Sequence, residues 1–321
     1  MRLISLFKSL GFLPFLLHRP VSAQQYPITV LREFPRPTWL DSSAVRHNGD
    51  ILISSATGSE IYLVKPRRPT TYSTVVTIPN ANGANGIAEM ERDLFYINAG
   101  NYTFETGSIA GTYGVWKLDL RGTSPKLSLV TMLPNARIAN GIARLHPTDN
   151  TYVLISDSVA GSIIRVNVET GEHATVMQMD EMLPQPGFPT GVSVLRTHGG
   201  YLYMNMIGAS FQRIPYSTTS GKATGPLEKI LDLDAASFIL SRNGKKAWMS
   251  SHWLNALQEI DIINRSAKIV VQNQTDFITP TGAALGKRDG KDVVYIITGG
   301  GYSFETEESV SGGKLIRVDV E

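Results

Sequence analysis

The chain has 321 residues, 42% hydrophobic and 18% charged, with a formal net charge of +2, a balance that supplies a core and excludes a disordered polymer. No basic run exceeds the short KPRRP at 65–69, so a groove tracking nucleic-acid phosphates is not expected. Cysteine is absent, which excludes disulfides, thiolate catalysis and cysteine metal sites.

Residues 1–23 read as a signal peptide. Arg2 and Lys8 precede the apolar stretch LGFLPFLL (10–17), and VSA (21–23) offers small residues before a cleavage point. The stretch is too short to span a bilayer, so the expectation is a secreted chain of residues 24–321 without stable membrane insertion. Sequons at Asn101, Asn264 and Asn273 are candidate glycosylation sites on that route.

The mature chain reads as one all-β domain. Strand-like words open at SAVR (43), GIAEM (86), GIARL (141), GVSVL (191), SFILS (237) and GAALG (282). Their intervals of about 43 to 55 residues match four-stranded propeller blades, so six starts imply six blades. Each unit continues with a turn, RHNGD or SRNGK, where Asn-Gly suits a tight hairpin. A second strand follows, such as ILISS, YVLISDS or AWMSSHW, and then a third that alternates apolar and polar residues, such as VWKLDL or KLIRVDV. The sixth unit ends one strand short, and ITVLREF (28–34) is placed to complete it and close the ring. GNYTFET (100–106) and GGYSFET (300–306) then fall in the second-to-third-strand connections of blades two and six. Tyr102, Phe104, Tyr302 and Phe304 are expected to arch over the channel as a lid.

The order of these words, from FPRPTWLDSSAVRHNGDILIS through NGIAEMERDLFYINAGN, NGIARL and PTGAALG to the closing GGKLIRVDV, resembles the fungal branch of the senescence marker protein and gluconolactonase superfamily. The resemblance covers nearly the whole mature chain. It implies a six-bladed propeller with a central channel, where many members hold a divalent metal and open lactones or esters. The same branch includes hetero-Diels-Alderases that join tropolone units to humulene-type sesquiterpenoids. The hydrolase pattern asks for a Glu on the first innermost strand, Asn residues in the middle blades and a later Asp. Asp41 stands nearest the Glu position, Asn85 and Asn140 supply amides, Thr190 replaces Asn in the fourth blade and Ser237 replaces Asp in the fifth. That set leaves a polar, largely uncharged channel poorly suited to a hard cation, so neither a metal nor another cofactor is expected.

Nucleophile-elbow and phosphate-loop words are absent. Aromatic and hydrogen-bonding residues gather instead near the expected channel mouth: Trp39, Phe188, Phe211, Trp253, Thr281 and the twin-loop residues. His252, Asp157 and Asn140 are the candidate catalytic groups, with His252 the proposed acid and Glu105 and Glu305 its rivals. The implied function is a cofactor-independent cyclase of fungal secondary metabolism. It would hold a tropolone-derived quinone-methide diene against a terpenoid alkene in near-attack geometry, and its partners would be apolar small molecules. A metal-dependent lactonase or ester hydrolase, and a non-catalytic ligand-binding propeller, stand as alternatives.

Overall fold

The computed structural model describes residues 26–67, 71–103, 107–303 and 305–320. Among them are six four-stranded antiparallel sheets, one two-stranded hairpin and a single turn of 3-10 helix at Asp180–Met182. The period-two words thus became strands throughout. Each sheet is one blade, its innermost strand first in sequence: Leu40–Val45, Gly83–Glu91, Ala139–Arg144, Val192–His198, Ser237–Leu240 and Pro280–Arg288. These six pack side by side in a closed ring. Ile28–Glu33 pairs with Lys314–Asp319 and supplies the outer strand of blade six, so the first and last described strands close the ring together.

Apolar packing follows the blade boundaries. Six buried clusters each join two neighbouring blades; Met90, Tyr113 and Val115 of blade two, for example, meet Ile142, Ile155 and Val166 of blade three. Phe211 belongs to this packing. It is wholly buried between blades four and five, 4.8 Å from Phe238 and stacked at 6.0 Å on Tyr203, and does not reach the channel as the sequence reading expected. The Asn-Gly turns also differ in detail: Gly49 and Gly244 are left-handed while Asn48 and Asn243 are not, so each turn ends on a left-handed glycine.

Polar residues on the second strands tie the innermost strands to one another. In blades one to four the innermost strand carries a bulge, for example between Leu40 and Ser43 and between Val192 and Leu195, which takes backbone groups out of the ladder. Ser54, Asn98, Ser156 and Asn205 lie beside these bulges. The N–H groups of Ser42, Gly141 and Val194 donate to the Ser54, Ser156 and Asn205 side chains. The second-strand side chains also donate across to the next blade, Ser54 to the carbonyl of Asn85, Asn98 to that of Asn140, Ser156 to that of Ser193 and Asn205 to that of Ala236. At the last junction Thr281 Oγ1 donates to the Leu40 carbonyl. Adjacent strands approach so closely here that a Cβ on Gly86 would stand 2.2 Å from the Asn140 carbonyl oxygen, and one on Gly141 2.3 Å from that of Ser193.

Asn205 makes three such bonds in a fully buried position. Asn205→Ala is expected to lower the unfolding free energy by about 2–4 kcal/mol, because several buried backbone groups lose their partner; urea denaturation measures it.

Candidate functional site

The bulge register decides which side chains surround the channel. Residues at equivalent ladder positions form one level, with one residue from each blade: Asp41, Asn85, Asn140, Ser193, Ala236 and Thr281. All six line a cavity of about 510 Å³. In blade four the bulge brings Ser193 to this level, where the sequence reading put Thr190; Thr190 lines the cavity from the segment before the strand. In blade five Ala236 takes the place expected of Ser237, which is buried in the sheet opposite Ser250. Asn140 Nδ2 donates to Ser193 Oγ at 3.2 Å, joining two members of the level.

An aromatic wall stands beside this level. The Trp39 ring lies 5.4 Å from His252 and meets Tyr302 edge-on at 6.4 Å; His252 is 4.7 Å from Trp253, and Phe188 packs edge-on against Trp253 at 5.1 Å. Trp39, Tyr102, His252 and Trp253 line the cavity directly, whereas Phe188 and Tyr302 buttress it from behind. Trp253 is 55% exposed, its loop held by Asp234, which accepts from the N–H groups of Trp253 at 2.9 Å and Leu254 at 3.1 Å. Tyr113 also lines the cavity, a contribution its sequence context did not signal.

The described residues of the twin phrases each make a short antiparallel pairing. Tyr102–Thr103 pairs with Gly107–Ser108 in blade two, and Ser303 bridges to Glu308 in blade six. Phe104, Phe304 and Glu105 lie outside the described residues, and Glu305 is exposed. Among the sequons, Asn264 is exposed. Asn101 has its amide committed, donating to the Asn80 carbonyl and accepting from the Asn82 N–H, and Asn273 accepts from the N–H groups of Thr275 and Asp276.

The expected acid-base roles are redistributed. Asp157, 1% exposed, accepts from the N–H groups of Arg137, Ile138, Val159 and Ala160 at 2.9–3.3 Å. It braces the connections beside its strand and does not line the cavity. Burial pushes the His252 imidazole down to about 4, so it is neutral at pH 7 and has no proton to give as a cation. Burial acts on Asp41 in the opposite sense and pushes its carboxyl up to about 7, against a side-chain hydrogen bond from Trp39. The group with an acidic proton available near neutrality is therefore Asp41.

Two arginines line the same cavity, Arg137 and Arg196, so the channel is not the uncharged one expected from sequence. Among the described residues, the group of His, Asp and Glu side chains close enough to share an ion is His47, Glu89 and Asp93, none of which lines the cavity. Among the described residues that line the channel the only carboxyl is Asp41, whose charged form is disfavoured by burial, and it stands among amides, hydroxyls and guanidinium groups. That donor set does not fit a divalent cation, which requires several oxygens including anionic ones.

With this geometry in hand, the comparisons place the chain among propellers of related design. No family model matches it. It is 25% identical over 206 residues to a protein of Sarocladium schorii named as a hetero-Diels-Alderase, covering 55% of this chain and 50% of that one. It is 27% identical over 175 residues to another so named from Phoma sp, covering 47% and 49%. The chain spans about half the length of these curated relatives. Among solved structures, a calcium-binding regucalcin of Agrobacterium tumefaciens superposes with a TM-score of 0.63 at 15% identity, over 92% of this chain and 96% of that one. The PQQ-bound aldose sugar dehydrogenase of Streptomyces coelicolor gives 0.57 at 14%, over 92% and 99%. These structural likenesses show the six-bladed fold.

Two outcomes follow from the site. Trp253→Ala is expected to weaken binding of an apolar ligand by about 1–3 kcal/mol through lost contact area, measured by calorimetry with the fold checked by circular dichroism. For Asp41, the folded value of about 7 lies above its ordinary 3.8, so the folded state holds the extra proton between those limits. Stability is then highest below the lower limit and falls as pH rises through the window. Urea titrations from pH 4 to pH 8 should show Asp41→Asn removing that part of the decline.

Proposed function

We propose that this chain is a cyclase of the hetero-Diels-Alderase type, joining a quinone-methide diene to a terpenoid alkene within the propeller channel. The observation that carries the reading is the cavity itself: one carboxyl, Asp41, raised by burial to about 7, set among amides and hydroxyls beside an aromatic wall. The two curated relatives named for this activity support the same direction.

In this reading the diene forms by loss of water from a hydroxymethyl-bearing, tropolone-derived ring. Asp41 donates its proton to the departing hydroxyl as the benzylic-type C–O bond breaks, and the ring enol, having released its own proton to solvent, becomes the carbonyl of the quinone methide. Asp41 recovers a proton from solvent, so atoms and charge balance. Cycloaddition then forms one C–C and one C–O bond with no proton transfer. The aromatic wall holds the alkene against the diene, and Asn85, Asn140, Ser193 and Thr281 offer hydrogen bonds to ring oxygens. Substrate filling the channel displaces water there and protects the diene from rehydration. His252, neutral in its buried position, serves as a hydrogen-bonding and stacking partner of Trp39 and Trp253. The signal-peptide pattern of residues 1–23 and the exposed sequon at Asn264 support the secretory pathway as the proposed location.

The test is incubation of purified protein with a hydroxymethyl tropolone and a humulene-type alkene, read by mass spectrometry. An adduct equal to the sum of the two less one water is expected, with a rate unaffected by a metal chelator and lowered about 100-fold or more in Asp41→Asn, the range of general acid catalysis. Absence of adduct, together with chelator-sensitive hydrolysis of a lactone or ester, would replace the cyclase with a metal-dependent hydrolase.

A further inference from the structure

Arg196 is out of pattern for its place in the fold. It sits on the innermost strand of blade four, paired with Tyr203, one residue beyond Leu195. The equivalent positions of the other blades hold Ala44, Ala88, Ala143, Ile239 and Ala284. Four alanines and an isoleucine therefore surround the level at which this arginine enters, and its side chain lines the cavity. Its one described hydrogen bond runs from a guanidinium nitrogen to the neighbouring Leu195 carbonyl at 2.8 Å, and among the described residues no carboxylate forms an ion pair with it.

An arginine in such surroundings normally has an anion beside it, because an uncompensated charge removed from water is costly. Arg46, Arg213 and Arg317, by contrast, each meet a carboxylate at 2.8 Å. Arg196 instead loses hydration without compensation, which pulls its guanidinium down to about 10. Asp41 lines the same cavity but forms no ion pair with Arg196, and its own carboxyl is raised by burial without compensation from that side chain. The remaining four donor hydrogens of the guanidinium fork are arranged for a planar oxyanion.

We propose that Arg196 recognises an oxyanion on the substrate, so that the channel selects a planar unsaturated ring bearing an ionised enol or carboxyl oxygen over its neutral counterpart. This rests on the cavity being the reaction chamber, and within that reading it gives Arg196 a positioning task. By pairing with the ring oxygen it orients the ring in the channel and keeps the enol proton off before water leaves.

Binding of tropolone and of its O-methyl ether, followed by quenching of tryptophan emission at a pH where tropolone is ionised, separates the anion from its neutral twin. The unsubstituted protein should prefer the anion by about 10- to 100-fold, the worth of a hydrogen-bonded charge pair. Arg196→Gln should abolish the preference while leaving the ether's affinity within about twofold, and Arg196→Lys should restore part of it. Benzoate against benzamide in the unsubstituted protein repeats the contrast with no variant to fold. Equal affinity for charged and neutral twins, or a preference that survives in Arg196→Gln, overturns the assignment. An anion preference that depends on Arg196 without adduct formation would remove the cyclase reading and leave the oxyanion site standing. Adduct formation without the preference would do the reverse.

Discussion

The backbone groups released where the innermost strands bulge must find partners away from water, and much else in the molecule follows from how they do. Ser54, Ser156 and Asn205 each accept an N–H from the bulge of their own blade, and together with Asn98 they donate to a carbonyl of the next. A polar group buried without such a partner costs as much as a lost hydrogen bond, so these side chains fix the mutual height of adjacent blades as well as joining them. Apolar clusters fill the blade boundaries, but hydrophobic contact is non-directional and would tolerate small slips that this hydrogen bonding does not.

The same bonding places the candidate site. Because Asn85, Asn140, Ser193 and Ala236 present their carbonyls to the preceding blade, their side chains are brought to one level around the channel, with Asp41 and Thr281 completing it. A set of short polar groups results, and the aromatic residues come from the connections above: Trp39 ahead of the first innermost strand, His252 and Trp253 after the second strand of blade five. The electrostatics of the enclosure then separate two titratable groups, lowering His252 and raising Asp41 through the same desolvation. Desolvation penalises whichever form is charged, so the imidazole is neutral at pH 7 while the carboxyl keeps a proton up to neutrality, and of the two only the carboxyl has a proton fit for acid catalysis there.

Much of the architecture was legible because strands announce themselves by period and the units repeat. VWKLDL and KLIRVDV alternate, the six opening words recur at blade-length intervals, and ITVLREF has the pattern of a strand that the sixth unit lacks. Nine of the proposed site residues, among them Trp39, Asp41, Asn85, Asn140 and His252, do meet at one cavity. Thr190 and Ser237 mark where alignment by words fails. A bulge changes the count of residues between two ladder pairs, so Ser193 takes the level that uniform spacing gives to Thr190, and in blade five, where no bulge interrupts the pairing, Ala236 takes that of Ser237. Phe211 and Trp253 are both aromatics near strand ends, and nothing local tells a wedge between blades from a wall of the channel. Arg196 left no trace of its place: in the aligned words Ser193 of GVSVL stands opposite Ala88, Ala143 and Ala284, and only the ladder register sets Arg196 at their level.

By itself the sequence determined the all-β class, the number of blades, the strand that closes the ring and the aromatic, thiol-free character of the site, since each depends on local periodicity or composition. Only the tertiary structure decided that Asp157 braces backbone turns, that Asp41 and not His252 holds a proton near neutrality, and that Arg196 faces the cavity without a carboxylate. Those properties depend on which groups from other blades arrive beside a side chain and how much water they displace, and neither quantity is written in the neighbours along the chain.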